Sequence, residues 1–142
     1  MSSNKLEAKH KLVIPSQLNE LQRVEQFTED VTTKVGFPEE DRDSIAISIT
    51  EIVSNAISHG NRRDKTKNVT IVYALYKNRL VITVQDEGAG FNVREIDDPL
   101  DPKNLLKDSG RGIYIVRALM DEVEFKNNET GTFVKIVKNK KK

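Results

Sequence analysis

The chain is 142 residues long, 37% hydrophobic and 32% charged, with a formal net charge of +1 and no cysteine. That length suits one domain around one core, and the polarity is that of a well-solvated globule rather than a membrane protein. The missing cysteines exclude disulfides and thiolate zinc sites, while the near-neutral balance makes no electrostatic case for nucleic acid.

Metal bound through oxygen ligands stays open. The stretch "MSSNKLEAKHK" has no apolar centre, so no secretory signal is expected and a cytoplasmic location is the default. The lysine-rich "KNKKK" at 138–142 reads as a solvated basic tail.

In chain order, "KLVI" at 11–14 reads as a short strand ended by Pro15, with Ser16 placed to cap a helix. Leu18, Leu21, Val24, Phe27, Val31 and Val35 then recur at helical spacing, so a first helix is expected to run to about Lys34 before Gly36 stops it. Pro38 followed by Glu39, Glu40 and Asp41 suits the start of a second helix. Its buried stripe is Ile45, Ile49, Ile52, Val53, Ala56 and Ile57, and it ends near His59-Gly60.

Beyond "NRRDKTKN" the period changes to two. Val69, Ile71, Tyr73 and Leu75, then Leu80, Ile82 and Val84 after a "KN" turn, predict an antiparallel hairpin. Residues 92–109 carry prolines and acids without periodicity and read as a long loop. Gly112, Ile113, Ile115, Val116, Leu119 and Met120 give a third helical stripe. Val123 and Phe125, then Phe133, Val134, Ile136 and Val137 around "NNETG", close the chain with a second hairpin. The order predicts an α+β fold, a two-layer α/β sandwich whose mostly antiparallel mixed sheet carries helices on one face.

Three polar constellations interrupt these patterns. Glu51 and Asn55 lie four apart and share a second face of the second helix, as rim residues or as the lining of a pocket. "QDEGAGF" at 85–91 is a turn by composition. It also lets Asp86 present a carboxylate at a strand end while Gly88 and Gly90 pass close beneath a flat ligand. In "DSGRGIYIV" at 108–116, Gly110 and Gly112 stand directly before a helix, either as caps or as an anion site to which Arg111 adds a cation. Neither glycine element is a P-loop or a dinucleotide fingerprint.

Taken together, Glu51, Asn55, Ala56, His59 and Gly60, then Asp86, Gly88 and Gly90, then Gly110 and Gly112 resemble the asparagine and glycine boxes of the GHKL superfamily of ATP-binding proteins. Thr132 of "TGTF" falls on the penultimate strand position which that superfamily uses beside the adenine. Within it the chain is similar to the anti-sigma factor serine/threonine kinases of bacterial partner switching, with E-x-x-x-N-A-x-x-H-G, D-x-G-x-G-F and a glycine box running into "MDEV". The resemblance covers about Leu12 to Val137.

It implies one histidine-kinase-like ATP-binding domain over 1–142, with the ATP lid at 92–109. It further implies ATP and Mg²⁺ as cofactors, with Asn55 as metal ligand, Asp86 on the adenine amino group and Thr132 assisting. Gly88, Gly90, Gly110, Arg111 and Gly112 would contact the nucleotide, and His59 the phosphates or lid. Glu51 would be the general base toward a serine hydroxyl, against the bland reading of a helix-surface acid paired to a cation. Implied partners are an anti-sigma-factor antagonist as phosphorylation substrate, a sigma factor, and a second copy of the chain, with no nucleic acid and no membrane. The alternative is a nucleotide-regulated binding module of the same fold that moves no phosphate. A histidine kinase half is disfavoured, since no helical hairpin bearing a phospho-accepting histidine precedes the domain. Tyr114 stands where histidine kinases often place a third glycine.

Overall fold

A computed structural model of the chain describes residues 5–88, 108–128 and 130–140. The elements run β1 (Leu6–Pro15), a single 3-10 turn (Leu18–Glu20), α1 (Leu21–Val35), α2 (Glu39–Asn55), a π-helical turn (Ala56–Gly60), β2 (Asn68–Tyr76), β3 (Arg79–Gln85), α3 (Asp108–Leu119), β4 (Glu122–Asn128) and β5 (Gly131–Asn139). The strands form one sheet in the order β1-β2-β3-β5-β4, and every described pairing is antiparallel.

Alternation decides which face of the sheet meets the helices. Leu12 and Ile14, Val69, Ile71, Tyr73 and Leu75, Leu80, Ile82 and Val84, and Val134 and Ile136 are buried. Their strand neighbours are exposed or half-buried, except Val137, which is buried beside Ile136. The register stacks Tyr73 on Ile82 and Ile82 on Ile136, so the apolar side chains form one continuous floor. The α2 stripe Ile45, Ile49, Ile52, Val53, Ala56 and Ile57 is buried over this floor. Each fully buried side chain of this size is worth about 1.5–3 kcal/mol, so the seam between α2 and the sheet contributes substantially to stability.

Several local expectations change. Ser16 caps no helix: its hydroxyl donates to Lys67 O at 2.7 Å, and the chain enters α1 through the 3-10 turn behind Gln17. As expected, helix α1 runs to Val35 and stops at Gly36, whose φ of 92° only glycine adopts cheaply. Ile115 is 45% exposed, because α3 turns Ile113 and Val116 inward instead, with Met120 buried just past its end. Helix α3 begins at Asp108, inside the loop expected over 92–109; residues 92–107 of that lid lie outside the described residues. The lysines at 138 and 140 do not trail into solvent. Lys138 sits in β5 and donates to Leu119 O at 2.7 Å, and Lys140 donates to Val35 O at 2.9 Å at the carbonyl end of α1, where a cation is favoured. Lys141 and Lys142 lie outside the described residues. Among the described residues, no helix is long and apolar enough to cross a membrane.

Candidate active site

Helix α2 hands over to its π-helical turn at Asn55, and the Asn61 N–H closes that turn on Ala56 O at 2.8 Å. One extra residue per turn swings His59 and Gly60 away from the α-helical line, a distortion common where a helix meets a ligand. Strand β3 ends at Gln85 directly opposite, which brings Asp86 against Gly60. A Cβ at Gly60 would collide with the Asp86 carboxylate, and one at Gly131 would collide with the Asp86 carbonyl. Gly131 also holds a φ of +151°, so both positions admit only glycine without a shift of the aspartate.

Asp86 is fixed with unusual completeness. Its Oδ1 accepts the N–H groups of Gly88 at 3.0 Å and Thr132 at 2.9 Å, and its own N–H donates to Thr132 O at 3.1 Å. The residue is 4% exposed. Burial pushes its carboxyl above the ordinary range, against the opposing pull of those two N–H groups and of the Lys67 ammonium. A carboxylate with one oxygen occupied by backbone donors and a wall of apolar residues around it is suited to accept a donor from a flat ligand.

Such a ligand has a place to lie. Ile52, Asn55, Ala56, His59, Gly60, Val84, Asp86, Ile113, Thr132 and Val134 line a cavity of ≈ 110 Å³. That is a ring's worth of space rather than the about 300–1,000 Å³ of a site enclosing a whole drug-sized ligand. Among the residues expected to form the site, the structure therefore brings Asn55, His59, Asp86 and Thr132 around one cavity, with Gly88 bonded to Asp86. His59 is exposed and sits at its rim.

Glu51 stands apart from that cavity. It lines the groove between α1 and α2 with Leu21, Gln22, Glu25 and Thr50, and its carboxylate packs on Gly112 of α3. A side chain at Gly112 would have to occupy the Glu51 carboxylate's space. The glycines expected directly before a helix thus lie inside α3: Gly110 in its first turn, where backbone N–H groups have no intrahelical acceptor, and Gly112 farther in, where its role is to admit Glu51. Arg111 follows Gly110 in the first turn; Gly90 lies outside the described residues.

Magnesium prefers oxygen ligands, keeps several waters and takes most of its remaining coordination from phosphates, so a lone amide oxygen at Asn55 fits its needs.

Sequence patterns missed two residues of this corner. Asn61 is buried and bonded on every side, yet it follows the helical stripe without belonging to its period. Gly131 looked like an ordinary hairpin residue, and only its pairing opposite Asn128 beside Asp86 explains it.

The geometry has counterparts in known proteins. The family model of the histidine kinase-like ATPase domain matches residues 14–138. The serine-protein kinase RsbW of Bacillus mycoides is 28% identical over 127 residues, spanning 85% of this chain and 79% of that protein. Its counterpart from Bacillus cereus is 30% identical over the same shares. Among solved structures, the RsbU and RsbW domains of a Mycobacterium tuberculosis protein superpose with a TM-score of 0.69 at 18% identity, covering 93% of this chain and 32% of that longer one. The histidine kinase domain of a blue-light activated histidine kinase from Erythrobacter litoralis superposes with a TM-score of 0.58 at 22% identity, covering 95% and 69%. The structural likenesses carry the fold, and the profile and the RsbW sequences carry the lineage. With an aspartate at the end of β3 facing the last turns of α2 across an apolar cavity, the chain belongs to the histidine kinase-like ATPase family and, within it, to the serine-protein kinases RsbW.

Proposed function

We propose that the chain is a protein serine/threonine kinase that takes ATP in the cavity beside Asp86. Its substrate is an anti-sigma-factor antagonist, and phosphorylation of that partner controls a sigma factor by partner switching. The single observation that carries this reading is the Asp86 carboxylate, held by the N–H groups of Gly88 and Thr132 at the wall of an apolar slot. Its second oxygen is suited to accept the adenine amino group; guanine offers a carbonyl oxygen at that position and is repelled.

Asn55, one end of the cavity, would hold Mg²⁺ through its amide oxygen. When bound, the ion would neutralise phosphate charge. The first turn of α3 would supply backbone N–H groups to the phosphates from Gly110, with the Arg111 guanidinium, and His59 and Gly90 complete the nucleotide's surroundings. Glu51 is the base. Its carboxylate takes the proton of the partner's hydroxyl while that oxygen bonds to the γ-phosphorus, the bond to the bridging oxygen breaks, and ADP leaves. A negative group seated on α3 rather than in the adenine slot divides labour between recognition at Asp86 and chemistry at Glu51.

Residues 1–142 act as one ATP-binding domain in this reading, with the lid at 92–109, in a cytoplasmic homodimer that binds neither nucleic acid nor membrane. The test is incubation with γ-labelled ATP, Mg²⁺ and a small antagonist-like protein. Label is expected on a serine or threonine of that partner. ATP binding without any transfer would leave a nucleotide-regulated binding module instead.

A further inference from the structure

We propose that Asn61 is a positioning residue for nucleotide selection, holding the segment that carries Asp86; the proposal rests on the nucleotide reading above. Asn61 is 2% exposed and stands where three strand ends meet. Its Nδ2 donates to Ser16 Oγ at 2.8 Å, just past β1, and to Asn68 O at 3.0 Å, at the start of β2. Its Oδ1 accepts the Glu87 N–H at 2.7 Å, one residue beyond Asp86.

Chemistry fixes the orientation of this amide. The Glu87 N–H can only donate and the Asn68 carbonyl can only accept, so a flipped amide would lose both bonds. The Ser16 hydroxyl spends its one proton on Lys67 O and is left to accept from Asn61. Glu87 closes the ring by accepting the Asn68 N–H through its carboxylate. The backbone of Asn61 is equally committed, donating to Ala56 O at 2.8 Å and accepting from Asp64 N at 3.0 Å. A cooperative network of this sort holds position more tightly than its separate bonds suggest.

Its output is the peptide between Asp86 and Glu87. Asp86 Oδ1 accepts the Thr132 N–H of β5 and the Gly88 N–H, and the direction of the latter depends on where residues 87 and 88 sit. Asn61 is not among the residues lining the cavity, so it acts through the Asp86 segment. Loss of its amide would free the Glu87 N–H and let Asp86 shift against the slot, weakening the contact that separates adenine from guanine.

The experiment compares Asn61→Ala and Asn61→Asp with wild type and with Thr28→Ala. The last removes the buried 2.7 Å bond between Thr28 and Tyr73 and serves as a destabilised control outside the site. Mg-ATP and Mg-GTP dissociation constants are measured by titration calorimetry, transfer kinetics with labelled ATP, and melting without nucleotide. Asn61→Ala, which leaves the Glu87 N–H without its acceptor, is expected to bind ATP about tenfold more weakly, and Asn61→Asp, which keeps that acceptor but loses both donations, by less. Their ATP-over-GTP preference should narrow by a similar factor, with KM rising more than kcat falls, while Thr28→Ala melts lower but keeps affinity and preference. Asn61 variants that melt lower yet retain both values would overturn the proposal. If neither folds, Ser16→Ala, which removes one acceptor of the amide, is expected to weaken ATP by about threefold, and wild-type affinity there overturns it. Wild-type protein that binds no ATP sinks the nucleotide reading and this proposal with it; binding that survives loss of Asn61 sinks this proposal alone.

Discussion

The floor of the sheet and the corner at its end are built from the same hairpin by opposite means. Along β2 and β3, Ile71, Tyr73, Ile82 and Val84 are buried with no polar demand beyond the Tyr73 hydroxyl, which bonds Thr28. A few residues farther on, Asn61 and Asp86 are just as buried but hold their places through directed bonds. Apolar packing tolerates substitution in proportion to volume, whereas a buried polar group is either fully satisfied or costly. The floor should therefore dominate stability and the corner should dominate binding, so a floor variant ought to leave binding alone while a corner variant changes binding first.

The largest effect expected is on chemistry alone. Glu51→Gln keeps the shape that rests on Gly112 but removes the base. Transfer to the partner should fall by about 10²–10⁴ while ATP affinity stays within twofold. Single-turnover rates with labelled ATP measure it; an unchanged rate would return Glu51 to the status of a surface acid. Ile82→Ala tests the other side of the comparison. Ile82 is fully buried between Tyr73 and Ile136 in the register, and its truncation should cost about 2–5 kcal/mol in denaturant unfolding. ATP affinity measured well below the melting point should not move; a coupled loss would mean that floor and corner are one unit.

Asp86→Asn should separate the two properties in opposite directions. Losing a charge-assisted bond to the base should weaken ATP by about 10–100-fold. Stability should rise at neutral pH. The folded carboxyl titrates above its unfolded value, so its favourable contribution is complete in acid below the unfolded value and disappears as pH climbs through the folded one. Asparagine suffers no such loss and can still accept from Gly88 and Thr132. Melting curves across pH should show the variant ahead at neutrality and the gap closing toward acid. The same sign makes wild-type ATP binding weaken as pH falls toward the Asp86 titration, because adenine needs the ionised form.

How far the sequence reveals each region follows from the same contrast. Periodicity reports burial, so the stripes of α2, β2 and β3 are readable directly, and the antiparallel sheet follows from their order. Charge composition misleads at Lys138 and Lys140, because a lysine stem can lie along the fold while its ammonium finds a carbonyl. The corner is readable only in part. Asp86 and Asn55 stand in motifs, but the partners of Asn61 are Ser16, Asn68 and Glu87, which no local window joins. Ser16 was open to misreading for the same reason: a serine after a strand and before a helix is a good cap by local rules, and only the tertiary approach of residues 61 and 67 claims its hydroxyl. Gly112 looks like a flexible residue before a helix, while its absent side chain is what Glu51 requires.

The smallest effect sharpens the boundary between the two regions. Arg62 and Arg63 follow Asn61 with φ of 52° and 58°, a left-handed pair that turns the chain from the π-helical turn toward β2. Side chains with a Cβ pay about 1–2 kcal/mol there, and backbone bonds hold the conformation: Arg63 N–H donates to Ile57 O at 2.7 Å and Asp64 N–H to Asn61 O at 3.0 Å. Arg63→Gly relieves that strain and loses part of the gain to the greater freedom of the unfolded chain, for a net stabilisation below about 1 kcal/mol. Thermal melting measures it directly. ATP affinity should be unchanged, because Arg63 is exposed and is not among the residues lining the cavity. A loss of affinity would instead assign its guanidinium to the phosphates, and the strained turn would belong to the binding corner rather than to the route that leads out of it.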